Sequence, residues 1–137
     1  NDRNRSIHPS YLAPMLKLED VNIFSLQLGH DGEANKVLGK TIVDLAPELT
    51  SFNETAAAMK NLDVVISVDS SPAHLAGALG CCVWTLLPFV PDWRWLLYGD
   101  TTPWYPSMQL FRQATIGDWS YVIENVCVAL RATCSSD

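Results

Sequence analysis

From Asp63 to Pro88 the chain reads DVVISVDSSPAHLAGALGCCVWTLLP, and few folds accept such a run. Asp63 to Val68 is β-branched, lacks a polar face and is too short for a helix. This predicts a strand buried on both sides, the kind that fills parallel sheets. Asp69, Ser70 and Ser71 follow, residues whose side chains accept backbone N–H bonds at a helix start. Pro72 suits the first helical turn, and Ala73 to Leu79 extend the helix until Gly80 stops it. Val83 to Leu87 is then a second buried strand. The first N–H groups of that helix would face out at the carboxyl end of the first strand, where open α/β sheets bind ligands. The helix dipole and its unpaired donors favour phosphate there. His74, in the first turn, adds a side-chain donor.

The flanking sequence continues the alternation. Pro9 to Leu18 carries Leu12, Met15, Leu16 and Leu18 as an apolar stripe and predicts a short helix interrupted by Pro14. Val21 to Gln27 reads as a strand, Gly29 to Gly32 as a turn, Glu33 to Leu38 as a short helix and Thr41 to Leu45 as another strand. Ser51 with Glu54 makes a capping box ahead of a helix from Thr55 to Asn61. The stretch from Pro88 to Pro106 mixes prolines with Trp and Tyr at no usable period, which makes it a loop. Met108 to Arg112 predicts a last strand, Asp118 an N-cap, and Trp119 to Ala132 a final helix with Val122, Ile123, Val126 and Leu130 on one face. Strands alternating with helices at these spacings give a single Rossmann-like α/β domain over residues 1–137, a parallel sheet with flanking helices.

Composition narrows the function. With 48% hydrophobic and 18% charged residues the chain is that of a compact globular protein. A formal net charge of −6 excludes a broad nucleic-acid surface, so an anionic ligand has to be held locally. No charge occurs from Leu75 to Val90, but Gly77, Gly80 and Pro88 break this run, which is shorter than the roughly 20 apolar residues of a membrane span. Cys81, Cys82, Cys127 and Cys134 contain no Cys-x-x-Cys pair and do not fit a zinc site. They read as reduced thiols of a cytoplasmic protein, with no metal. The chain starts with Asn, and NDRNRSIHPS lacks the apolar centre of a signal peptide, so a piece of a longer chain is expected.

Five segments carry a family resemblance: NDRNRS at the start, SLQLG at Ser25 to Gly29, VISVDSSPAHLAGALG ending at Gly80, LLPFVPDWRW ending at Trp95, and PWYPSMQLFRQ ending at Gln113. Together they resemble the carboxyl-terminal domain of the heptosyltransferase-like glycosyltransferases of family 9, in the form found behind tetratricopeptide repeats in large bacterial proteins. The resemblance implies a GT-B architecture whose carboxyl-terminal half holds a nucleotide sugar, and metal-independent, inverting transfer without a cofactor. It implies that Asp69, Ser70, Ser71 and His74 lie against the donor's pyrophosphate, and that Arg3 or Arg5 stands near the place of a Lys in the heptosyltransferases proper. Ser71 departs from the Gly common at its position. The family domain also opens with a strand just before the Asn-Asp-Arg-x-Arg-Ser segment. In the strand order 3-2-1-4-5-6 that strand, absent here, would be central. Its absence predicts direct pairing of the Val21 and Asp63 strands or a disturbed sheet, with self-association through the remaining apolar surface.

Each candidate also has an ordinary structural role. Asp69, Ser70 and Ser71 serve as helix caps in many proteins, and Asp69, whose carboxylate repels phosphate, reads as a loop organiser acting on backbone donors. Arg3 and Arg5 are terminal charges that need not be ordered. Among Trp93, Arg94 and Trp95, at least one indole is expected to pack as core, while Trp93 could wall a cleft and Arg94 reach a phosphate or acceptor. Gln27, Gly29 and Glu33 follow a strand's carboxyl end and are weaker candidates for ribose or base contacts. The expected function is the donor-binding half of a glycosyltransferase, with the acceptor, a glycan or protein, and the catalytic base met by a facing domain. The alternative is a non-catalytic Rossmann-like scaffold attached to tetratricopeptide repeats. A dinucleotide-dependent oxidoreductase is disfavoured, since no G-x-G-x-x-G occurs.

Overall fold

The computed structural model describes residues 2–29, 36–37 and 42–135. Its helices are α1 (Asp2–Arg5), α2 (Ala13–Leu16), α3 (Phe52–Lys60), α4 (Ser71–Ala78) and α5 (Trp119–Ser135), and its strands β1 (Ile23–Ser25), β2 (Ile42–Asp44), β3 (Val65–Val68), β4 (Val83–Leu87) and β5 (Met108–Arg112). Every pair of these strands is parallel, and α4 joins β3 to β4, so the fold is the α/β type expected of a Rossmann-like half. The strands fall into two sheets, β1-β2 and β3-β4-β5. The chain forms two compact units, Asn1–Ser6 with Ala56–Val122 and Ile7–Thr55 with Ile123–Asp137.

In the first unit β4 is the organising strand. It pairs with β3 from Val65↔Val83 to Val68↔Leu86 and with β5 from Val83↔Met108 to Leu87↔Arg112. Both edges are used, and all five of its residues are buried. That is why the sequence there is apolar without alternation. Helix α4 buries Ala73, Ala76 and Gly77. Gly80, at φ 72°, ends it in the left-handed conformation that glycine adopts without strain, and the Cys81 N–H closes on the Ala76 carbonyl at 3.0 Å.

In the second unit β1 and β2 are each shorter than their apolar sequences suggest, and local side chains explain where they stop. The Ser25 hydroxyl accepts the Gln27 N–H at 3.3 Å, and the Asp44 carboxylate accepts the Ala46 N–H at 3.0 Å, turning the chain into a 3-10 segment, Ala46–Glu48. The helix expected over Pro9 to Leu18 is split. His8 Nδ1 accepts the Ser10 N–H at 3.2 Å and opens a 3-10 turn, Pro9–Leu12, before α2 begins with Pro14 in its first turn. The helix expected over Glu33 to Leu38 lies largely outside the described residues.

Two caps fall where the sequence places them. Ser51 Oγ accepts the Glu54 N–H at 3.2 Å, although α3 starts at Phe52 rather than Thr55, and Asp118 Oδ1 accepts the Tyr121 N–H at 3.1 Å at the start of α5. Among the described residues no helix is long and apolar enough to cross a membrane.

Candidate functional site

The β3–α4 turn gathers the site. Ser70 is the residue that starts α4, in extended conformation, but its hydroxyl does not cap the helix. It donates instead to the Val68 carbonyl at 3.1 Å and pairs with Ser67 Oγ at 3.0 Å, which ties the turn back to the strand. The Ala73 N–H reaches the Ser70 carbonyl at 3.1 Å. Pro72 has no N–H, so Ser71 holds the first backbone donor of the helix. From the chain's start, Arg5 Nη1 donates to the Asp69 carbonyl at 3.0 Å across 64 residues of sequence. A guanidinium is thereby placed beside a helix N-terminus, a combination that draws anions.

His74 sits among three side chains. Its Nδ1 lies 3.0 Å from the Tyr105 hydroxyl and its Nε2 3.7 Å from Asp69 Oδ1. Its ring stacks on Trp95, with centroids 5.3 Å apart and planes 27° apart. Asp69 thus turns its carboxylate toward His74 Nε2 while its carbonyl accepts from Arg5, so it organises the turn from both groups instead of by the expected cap.

The long loop after β4 is a scaffold for this cluster. Asp92 caps the 3-10 turn Trp93–Trp95, accepting the Arg94 N–H at 3.1 Å and Arg94 Nε at 2.9 Å. That hydrogen-bonded ion pair holds the Asp92 carboxyl below the usual carboxylate range. The same pairing raises Arg94, with smaller contributions from Asp69 and Tyr105. Arg112, at the end of β5, donates to the carbonyls of Gly99 at 2.7 Å, Leu96 at 3.1 Å and Trp95. Burial pulls its guanidinium below its ordinary value, yet arginine stays charged and its fork of donors suits several acceptors at once. Next to it, Gln113 Oε1 accepts the N–H groups of Phe89 at 3.0 Å and Gly117 at 3.1 Å.

The candidate residues therefore separate. Asp69, Ser70, Ser71, His74 and Arg5 meet at one turn, and Arg94 lies within electrostatic reach of it. Arg3 is exposed, on the same short helix as Arg5. Trp93 is 75% exposed while Trp95 is 1% exposed, so the indole that packs as core is Trp95. Its N–H has no hydrogen-bond partner among the described residues. Gln27 and Gly29 belong to the other unit, and Glu33 lies outside the described residues. Sequence reasoning missed Tyr105 and Arg112. Gly77 was the signal for Tyr105, since a Cβ there would stand 2.6 Å from the tyrosine ring. Among the described residues no three His, Cys, Asp or Glu side chains gather as a metal site, and all four cysteines are free.

A parallel sheet carrying a strand–turn–helix of this kind is a Rossmann-like α/β half, and the sequence comparisons say to which family it belongs. The chain belongs to glycosyltransferase family 9, the heptosyltransferase family, whose sequence profile matches residues 30–103, more than half of the 137. It is similar to Protein FlbA of Caulobacter vibrioides, 31% identical across 95% of this chain. The chain spans 23% of that protein's length. No solved structure matches.

Proposed function

We propose that this chain is the donor-binding half of a nucleotide-sugar-dependent, inverting glycosyltransferase, with the donor's pyrophosphate seated at the N-terminus of α4. The observation that carries this reading is the Arg5 guanidinium on the Asp69 carbonyl. In a protein of net charge −6, a cation held on the turn that opens α4 offers an anionic ligand the local site it would need. In the reaction, an acceptor hydroxyl attacks the anomeric carbon, the bond from that carbon to the diphosphate oxygen breaks, and the hydroxyl proton passes to a base outside these residues. The helix start, Arg5 and His74 stabilise the charge that develops on the departing nucleoside diphosphate. Calorimetric titration with UDP, GDP and ADP, and with their sugars, tests this. Binding by one of them, weakened about tenfold or more by Arg5→Ala as expected for a lost charge-assisted hydrogen bond, supports it. Absence of heat with every nucleotide sinks it.

A second reading, an interaction domain without catalysis, is favoured by the large apolar side chains that the loop leaves exposed: Val90, Trp93, Leu96, Leu97, Tyr98 and Trp104. Self-association visible by sedimentation, relieved by polar substitutions at Leu97 and Tyr98, would point that way. The two readings part on nucleotide binding.

A further inference from the structure

Tyr105 sits in a loop, joined to the backbone frame by its carbonyl, which accepts the Met108 N–H at 3.1 Å, yet its side chain is placed closely. The ring crosses α4 at Gly77, where an added Cβ would meet Cγ at 2.6 Å and both Cδ atoms at 2.9 Å. Only a residue without a side chain lets the ring lie there. Gly77 is one helical turn beyond His74 on the same face, so a ring lying over the one reaches the other. The hydroxyl lands 3.0 Å from His74 Nδ1, with the two rings edge to face at 5.8 Å. Trp95, stacked beneath His74, holds the imidazole plane.

A neutral imidazole has one N–H and one acceptor nitrogen, and its neighbours decide which is which. The Nε2 edge faces Asp69 at 3.7 Å, and an ionised carboxylate only accepts. The carboxylate's negative charge therefore favours a proton on Nε2 and leaves Nδ1 as the acceptor. The phenol must then donate.

We propose that the Tyr105 hydroxyl donates to His74 Nδ1 and holds the imidazole as its Nε2–H tautomer, which makes Tyr105 the positioning residue of the anion site. His74 then offers an N–H to an oxyanion without needing a positive charge of its own. At 3.7 Å the Asp69 carboxylate is beyond hydrogen-bond distance, so a phosphate oxygen can compete for that N–H. The role in donor binding rests on the function proposed above, while the tautomer itself does not.

The test is ¹⁵N imidazole NMR on the full 137-residue chain, at a pH about two units above the ordinary imidazole value of about 6.5. A pyridine-like Nδ1 and a pyrrole-like Nε2 are expected for His74. Tyr105→Phe should move the ring toward a mixture of tautomers, and Gly77→Ala, which displaces the tyrosine ring, should do the same. With UDP, GDP and ADP as probes, affinity should fall about threefold to tenfold in Tyr105→Phe, the range of one lost hydrogen bond. A pyrrole-like Nδ1 in the unsubstituted protein overturns the proposal even if neither variant folds. So does a folded Tyr105→Phe protein with an unchanged tautomer. The expected tautomer without binding of any nucleotide leaves this proposal standing and removes the proposed function instead.

Discussion

Strands β4 and β1 are both short, apolar members of parallel pairs, yet they are held in different ways. β4 has a partner on each edge and no exposed residue, and its unit also buries Met59, Val65, Ala73, Ala76, Trp95 and Met108. Among the described residues β1 has one partner, Phe24 on its face is exposed, and the buried apolar residues of Ile7–Thr55 are Met15, Ile42 and Leu49. A strand buried on all sides takes its stability from apolar area. One that is half covered depends on the turns at its ends.

The largest effect should come from cutting into β4. Leu87→Ala is expected to cost about 2–5 kcal/mol in urea denaturation, the range for a fully buried leucine, against about 1–2 kcal/mol for Ile23→Ala in half-buried β1. Equal losses would erase the distinction. Helix caps come next. Ser51→Ala and Asp118→Ala should each remove about 1 kcal/mol, because each cap supplies one hydrogen bond to an otherwise orphaned N–H. A loss confined to Asp118→Ala would sharpen the contrast, since it would make the Ser51 cap dispensable in the more sparsely packed unit.

The smallest effect concerns pH. Asp92 is held low chiefly by its hydrogen-bonded pairing with Arg94. A carboxyl whose folded value is depressed contributes its stability above the unfolded value and loses it as pH falls through the folded one. Acidification below the ordinary carboxylate range should therefore release the Trp93–Trp95 turn. ¹³C titration of Asp92 should show the low value, and Arg94→Gln should return it toward normal. No difference between the two proteins would mean that the pair is not formed in solution.

The sequence revealed most where burial acts on every residue alike. β4 and β5 span the residues their sequences predict, Val83–Leu87 and Met108–Arg112, and the Ser51 and Asp118 caps fall on residues whose side chains have that one local task. β1 and β2 were overestimated because Val21 to Gln27 is apolar enough to pair for longer than its serine turn allows. Asp69, His74 and Arg5 were named as candidates from the strand–turn–helix pattern and the family resemblance, and the structure brings them to one turn. Tyr105 lies 31 residues from His74 in a loop without period, and Arg112 reaches its carbonyls through the fold alone, so no spacing pointed to either. Ser70 misled, since a serine before a helix reads as a cap whether its hydroxyl turns forward or back.

Arg112 and Gln113 are neighbours on one strand end, and between them they fasten the Pro88–Pro106 loop at Phe89, Trp95, Leu96 and Gly99. A free segment of this length would lose much conformational entropy whenever a visitor ordered it. Here that loss falls on folding, before any visitor arrives. A molecule that meets Trp93, Tyr98 or Trp104 finds them on backbone already immobilised, so its affinity is not eroded by the ordering of the loop.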